Sequence, residues 1–229
     1  MPSARSQTTY ALFLRGQLKA SEAMAVSTIG VAEEDLARAQ LYDLLGAMLA
    51  SPPKQAFLDQ LANLTGDESE IGRAIKALRK LAAVTTEEAV AGEYAALFIG
   101  VGRGELLPYC SYYRTGFLNE KPLAELRKDL AKLGIKRAKN VFEPEDSIAS
   151  MMEIMATLIS GRLNKPASLE TQKRFFDRHI LPWARHFYSD LEKASSAALY
   201  APVGALGRAF MEVEAEAFTL LGIQSRTLH

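Results

Sequence analysis

The sequence predicts an all-α fold, a single-domain helical bundle of about eight helices, on three observations. Apolar residues recur at helical spacing along nearly the whole chain. No run of β-branched residues alternates as a strand would, and no long period repeats as in a solenoid. The 229 residues, 48% hydrophobic and 24% charged, have the size and balance of one globular domain.

Three helices are predicted before residue 84. The first covers roughly residues 33–50 and ends ahead of Pro52, because proline restricts its predecessor and lacks an N–H donor. A short second helix carries the apolar residues of 57–61. The third begins after Asp67 or Ser69, either of which can cap a helix N-terminus.

A fourth helix is predicted from a capping box at Thr85 and Glu88, in which the hydroxyl and the carboxylate each satisfy a backbone N–H. Its apolar stripe runs to about Phe98. The glycines of residues 100–104 follow a helix rather than a strand and lack a Gly-Lys-Ser/Thr ending, so turn glycines are favoured over a phosphate loop. Residues 105–113 are predicted to be an aromatic loop.

The second half of the chain contains further helices punctuated by proline. Pro122 and Pro144 are each predicted to begin a helix, since proline suits the first helical position. Another helix follows Ser168, with a kink at Pro182. Residues 201–204 are predicted to be a short loop ahead of the final helix.

Three acids surround Pro144. With that proline at the start of a helix, Glu145 and Asp146 are expected in the first turn, where carboxylates meet the positive end of the helix dipole. This does not explain Glu143, which precedes the proline. An acid-edged, apolar surface is therefore predicted, and its use is expected to be the binding of another polypeptide.

Composition excludes several classes of function. Lys plus Arg and Asp plus Glu both total 27, so no net charge draws the chain to nucleic acid or to an anionic membrane. Charge or proline interrupts each long apolar stretch, so stable membrane insertion is not expected. The single Cys110 rules out an internal disulfide and predicts a cytoplasmic protein. Residues 1–30 are expected to be an N-terminal extension of a domain spanning 31–229.

The side chains that could carry chemistry have structural explanations. His179 and His186 are two helical turns apart and have no third ligand, so a metal site is not expected. Cys110 lacks a neighbouring histidine and is predicted to pack as a small hydrophobic residue. Met151, Met152 and Met155 are expected in the core. No catalytic, metal or cofactor site is predicted, and the chain is not expected to be an enzyme.

Four short motifs stand in a fixed order along the chain. They are Glu93-Tyr94-x-x-Leu97-Phe98, Leu107-Pro108-Tyr109-x-Ser111-x-Tyr113, Glu143-Pro144-x-Asp146 and Phe176-x-x-His179-Ile-Leu-Pro182-Trp183. In this order the chain resembles, from about residue 33 to 222, the TorD/DmsD/NarJ family of redox-enzyme maturation chaperones.

The resemblance implies a cytoplasmic chaperone that binds the twin-arginine signal peptide and the apo form of a molybdenum-cofactor oxidoreductase, and that delays export until the cofactor is inserted. The peptide-binding residues it implies are Tyr94, Leu97, Phe98, Pro108, Tyr109, Ser111, Tyr113, Glu143, Pro144 and Asp146. The chain departs from the family at Ser147, where histidine is frequent. Some members are suggested to bind GTP, but no GTP motif is present here.

Three alternatives stay open at the level of sequence. A NarJ-like assembly chaperone would serve a molybdoenzyme subunit that is not exported. A helical regulator would bind a small ligand, and a nucleotide hydrolase would need a metal or phosphate site. Long helices joined by Gly/Pro loops permit either a monomer or a domain-swapped dimer.

Overall fold

The fold is all-α, as the sequence predicts. The computed structural model describes residues 33–138, 141–162 and 165–227, and side chains as far as residue 220. This part of the chain forms ten α-helices. They are α1 (Glu33–Ala50), α2 (Gln55–Leu61), α3 (Glu70–Ala82), α4 (Glu87–Tyr94), α5 (Cys110–Thr115), α6 (Lys121–Lys132), α7 (Ile148–Ser160), α8 (Leu169–Phe175), α9 (Ala184–Lys193) and α10 (Tyr200–Thr227). The predicted extension, residues 1–30, lies outside the described residues.

Two of these helices widen into π turns. Ala95–Ile99 continues α4, and Phe176–Ile180 continues α8. Such π turns are uncommon and are often found at functional sites. Ahead of Pro182 the helical run of α8 ends, and α9 starts after a short turn, so the predicted kink is a complete break.

The core lies between two sets of packed helices. α1 packs along α7, while α3 and α9 pack along α10. Met151, Met152 and Met155 are fully buried between them, which confirms the prediction that they belong to the core. A buried ion pair joins the two sets, because Arg38 of α1 donates through Nε to Glu214 of α10 at 2.7 Å.

Residues 201–204 are not a loop, and this prediction was wrong. They lie in the first turn of α10, where Pro202 lacks only an N–H that has no helical partner anyway. Gly204 is required there by close packing rather than by a turn. A Cβ on Gly204 would collide with the backbone nitrogen of Glu192, and one on Gly207 would collide with the ring of Tyr188.

We predict that Gly204→Ala destabilises the protein by about 1–3 kcal/mol, because α9 and α10 must separate to admit the methyl group. Gly92→Ala is the matched control. Gly92 lies in α4 with nothing within 4 Å of an added Cβ, and the change should stabilise the helix by up to about 1 kcal/mol. Urea unfolding followed by circular dichroism measures both, and shifts of the same sign would contradict this packing.

Candidate functional site

The fourth helix begins one residue later than the sequence predicts. Thr86, rather than Thr85, is the N-cap, and its hydroxyl accepts from the backbone N–H of Ala89 at 3.2 Å. The hydroxyl of Thr85 instead donates to the carbonyl of Leu81 at 2.7 Å. The predicted capping box therefore does not form, because Thr85 serves the end of α3.

The π turn after α4 turns two aromatic rings toward the start of α10. Tyr94 and Phe98 pack edge to face, with ring centroids 4.9 Å apart, and the ring of Phe98 packs on Tyr200 at 5.6 Å. Both rings are half-buried, whereas Leu97 between them is fully buried. The helical run ends at Gly100, whose φ of 58° favours glycine.

The loop after the π turn folds back onto it. The backbone N–H groups of Glu105 and Leu106 donate to the carbonyls of Ala96 and Leu97 at 3.1 and 2.8 Å. Gly104 lies against the Phe98 backbone so closely that a Cβ would collide with it. Residues 100–104 are thus turn and packing glycines, as predicted.

Two carboxylates from this region hold the segment that leads into α10. Glu93 accepts from the backbone N–H groups of Ala198 and Tyr200, both at 2.7 Å, and of Leu199 at 3.1 Å. Glu105 accepts from those of Ser195 and Ser196 at 2.6 and 3.0 Å. The contacts with Ser196 and Ser195 hold the pKa of Glu105 at about 2. Sequence reasoning named Glu93 only as part of a motif and did not find its partners.

Two distant motifs meet at a crossing of residues 108–111 with residues 146–148. An antiparallel bridge pairs Tyr109 with Ser147. The Ile148 N–H donates to the Pro108 carbonyl at 2.8 Å, and the Ser111 N–H donates to Oδ2 of Asp146, also at 2.8 Å. Asp146 is only 1% exposed. Residues 110–115, predicted as a loop, form the short helix α5 from this crossing.

Pro144 does not begin α7, and the expectation that acids occupy its first turn was wrong. Ser147 is the N-cap, with its hydroxyl accepting from the Ser150 N–H at 3.2 Å, and the helix starts at Ile148. The crossing holds Asp146 outside the helix because its carboxylate binds Ser111. Serine at position 147 therefore has a clear structural role as a cap.

Two tyrosines of the second motif donate to carboxylates. The hydroxyl of Tyr109 donates to Oε1 of Glu143 at 2.6 Å, and that of Tyr113 donates to Oδ2 of Asp190 at 2.9 Å. Burial and these carboxylates raise the pKa of both tyrosines above its ordinary value, and Tyr94 contributes to the shift at Tyr109. Both hydroxyls therefore stay protonated and act as donors.

The ten predicted site residues divide by burial. Seven are half-buried: Tyr94, Phe98, Pro108, Tyr109, Tyr113, Glu143 and Pro144. We call these seven the aromatic surface. Three are buried behind it: Leu97, Ser111 and Asp146. Three exposed apolar side chains adjoin the same segments and were not foreseen: Ile99, Val101 and Phe142.

The other candidate side chains are structural. Burial raises the pKa of Cys110 to about 11, which keeps it a thiol. His179 is buried with Nε2 3.0 Å from Oδ2 of Asp129, and His186 is exposed. In the part of the chain that the structure describes, no three or more His, Cys, Asp or Glu side chains group as metal ligands would. None of its helices combines the length and apolar character of a membrane span.

Two clefts in the described residues lie away from the aromatic surface. One, of about 440 Å³, runs along α8 and its π turn and is lined by Lys173, Arg174 and Asp177 among others. The other, of about 230 Å³, lies between α3 and α10. The aromatic surface is therefore an open face rather than an enclosed pocket, which suits an extended or helical segment better than a small molecule.

Comparison with known proteins first defines a class, that of chaperones. The chain is 28% identical over 166 residues to the chaperone protein TorD of Vibrio cholerae serotype O1, covering 69% of this chain and 76% of that protein. It is 28% identical over 202 residues to TorD of Vibrio atlanticus, covering 78% and 93%. A candidate redox enzyme maturation protein from Archaeoglobus fulgidus aligns in structure with a TM-score of 0.45 and 21% identity, covering 76% of this chain and 93% of that one.

The family follows from a second comparison. The model of the nitrate reductase delta subunit family matches residues 65–189, which is more than half of the chain. The chain belongs to this family, the TorD/NarJ family, and the predicted resemblance is confirmed. It is accordingly a chaperone and not an enzyme.

We predict that Asp146→Ala destabilises the protein by about 1–3 kcal/mol, because the buried Ser111 N–H loses its acceptor. Glu145→Ala is the neighbouring control. Its carboxylate pairs with the half-exposed Arg127, so its loss should cost about 1 kcal/mol or less. Denaturant unfolding measures both, and NMR hydrogen exchange should show faster exchange of the Ser111 amide in Asp146→Ala alone. Equal effects of the two changes would contradict the role given to Asp146.

Proposed function

We propose that this chaperone binds the twin-arginine signal peptide, and with it the apo form, of a molybdenum-cofactor oxidoreductase in the cytoplasm, before cofactor insertion and export. The observation that carries the proposal is the hydrogen bond of 2.6 Å between the Tyr109 hydroxyl and Glu143. It joins an aromatic motif and an acidic motif, 34 residues apart, at one surface.

A twin-arginine signal peptide presents neighbouring cations followed by a moderately apolar segment. Its complement is an apolar, aromatic surface bordered by carboxylates, where apolar contact gives affinity and charge gives orientation. Tyr94, Phe98 and Tyr109 supply aromatic area that is half-exposed and held by packing. Glu143 places a carboxylate at the edge of those rings.

The buried members of the motifs have a different role in this proposal. Leu97, Ser111 and Asp146 position the aromatic surface from behind, because they are too buried to contact a peptide laid on it. The peptide contacts fall to the half-buried residues and to the exposed Val101 and Phe142 beside them. Both sets remain necessary, but only the second should contribute directly to affinity.

A second client class is favoured by the family description, nitrate reductase delta subunit. In that case the client would be a molybdoenzyme subunit that is not exported, and the bound segment would lack adjacent arginines. The same apolar side chains would then provide most of the affinity, and Glu143 would matter less. Comparison of leader peptides with and without the arginines separates the two.

We predict that a synthetic twin-arginine leader binds the wild-type chain in calorimetry and that Phe98→Ala weakens binding about tenfold or more, since buried aromatic anchors dominate such interfaces. Glu143→Gln should weaken it about three- to tenfold, through loss of one charge at the rim. Val84→Ala is the control, because Val84 is a largely exposed apolar residue at the end of α3. It should leave the affinity unchanged.

Circular dichroism verifies that each variant is folded. Wild-type affinity in both Phe98→Ala and Glu143→Gln would remove the proposed site. Wild-type affinity in Glu143→Gln alone, together with equal binding of a leader whose arginines are replaced by glutamine, would favour the client that is not exported.

A further inference from the structure

Two tyrosine–carboxylate pairs lie one helical turn apart on α5. Tyr109 is the N-cap of this helix, and the Tyr113 N–H donates to the Tyr109 carbonyl at 3.1 Å. Side chains spaced in this way stand about 5–6 Å apart at Cβ, on one face of the helix. The Tyr109 hydroxyl donates to Glu143 and the Tyr113 hydroxyl donates to Asp190. Sequence reasoning found the first acid but not the second.

The two acids come from different elements. Glu143 lies on the segment ahead of α7, and Asp190 lies on the exposed face of α9, 77 residues beyond Tyr113. Within the described residues Asp190 has no ion-pair partner, and its hydrogen bond engages Oδ2. A carboxylate oxygen can accept more than one hydrogen bond, so the tyrosine orients the group without using all of its acceptor capacity.

The tyrosines fix these carboxylates in place. The ring of Tyr113 packs on Trp183 at 5.5 Å and on Phe187 at 5.9 Å, so its hydroxyl is held by the core. Each phenol oxygen donates its proton to the carboxylate and keeps lone pairs that can accept. Carboxylate and phenol oxygens therefore form a pair of neighbouring acceptors that suits the planar fork of a guanidinium better than a lysine ammonium.

A third carboxylate behind the pairs points to a missing cationic partner. Asp146 binds the N–H of Ser111, which lies midway between the two tyrosines. Its other oxygen, Oδ1, is buried without a hydrogen-bond partner, and the Ser111 hydroxyl is in the same condition. A buried carboxylate with an unsatisfied oxygen is unfavourable unless a positive charge lies near it. A cation at the surface above would relieve this.

We propose that the Tyr109–Glu143 and Tyr113–Asp190 pairs each bind one of two neighbouring guanidinium groups, and that Asp190 is thus a specificity-determining residue for adjacent arginines. The inference rests on the proposed function. Adjacent residues of an extended peptide are about 3.8 Å apart at Cα and point to opposite sides, so one carboxylate does not suit both guanidiniums. Two acids carried by separate elements do.

The test measures the affinity of three synthetic leaders for the wild type, Glu143→Gln and Asp190→Asn. One leader has both arginines, and each of the others has one arginine replaced by glutamine. Asp190→Asn should weaken binding of the intact leader about tenfold, which is the loss of one charge-assisted pair. This variant should then be indifferent to removal of one particular arginine and sensitive to removal of the other. Glu143→Gln should show the opposite pattern.

Two controls separate charge and packing from recognition. Asp59→Asn removes an exposed acid on α2 and should bind all three leaders as the wild type does. Tyr113→Phe keeps the ring and removes only the hydroxyl, so it should lose affinity mainly for the leader that retains the arginine bound by Asp190. Wild-type affinity of Asp190→Asn, or equal sensitivity of both acid variants to both arginines, would overturn the inference while leaving the proposed function standing. A folded wild type that binds no leader would overturn both.

Discussion

Carboxylates that accept backbone N–H groups hold this molecule's motif segments in place. Glu93 and Glu105 together accept from five N–H groups between Ser195 and Tyr200, and Asp146 accepts from Ser111. Hydrogen bonds to a charged acceptor are stronger than neutral ones, and each group held here would otherwise have no partner in a helix. The aromatic surface depends on these contacts, because they fix both α4 and α5 to more distant parts of the chain.

This constraint separates two roles among the acids of the motifs. Glu93 and Asp146 are occupied by the protein's own backbone, so their negative charge stabilises the fold. Glu143 and Asp190 meet tyrosine hydroxyls at the surface instead, where a hydroxyl orients a carboxylate without neutralising it. The chaperone's sequence motifs therefore combine residues that build a surface with residues that present charge on it.

The sequence was sufficient for the parts of the fold that periodicity controls. The first helix was predicted over 33–50 and is observed at Glu33–Ala50. It was insufficient where a side chain had two possible partners. Thr85 and Thr86 can both cap α4, and only the end of α3 decides between them. Pro144 is a good helix start locally, but the crossing with residues 108–111 delays the helix to Ile148.

The candidate site was predictable only in part for the same reason. Aromatic and acidic residues in two motifs indicated which segments belong together, and the Tyr109–Glu143 contact joins them. Nothing in the local sequence of α9 marks Asp190, because its importance comes from Tyr113, 77 residues earlier. Burial of Asp146 was equally hidden, since an acid beside a proline is usually exposed.

A crystal structure of the chain with a bound twin-arginine leader tests this account most directly. The account predicts that the leader lies on the rings of Phe98 and Tyr109, while the Ser111 N–H still donates to Asp146. A leader whose guanidinium binds Asp146 in place of Ser111, or that lies in the cleft between α3 and α10, would contradict it.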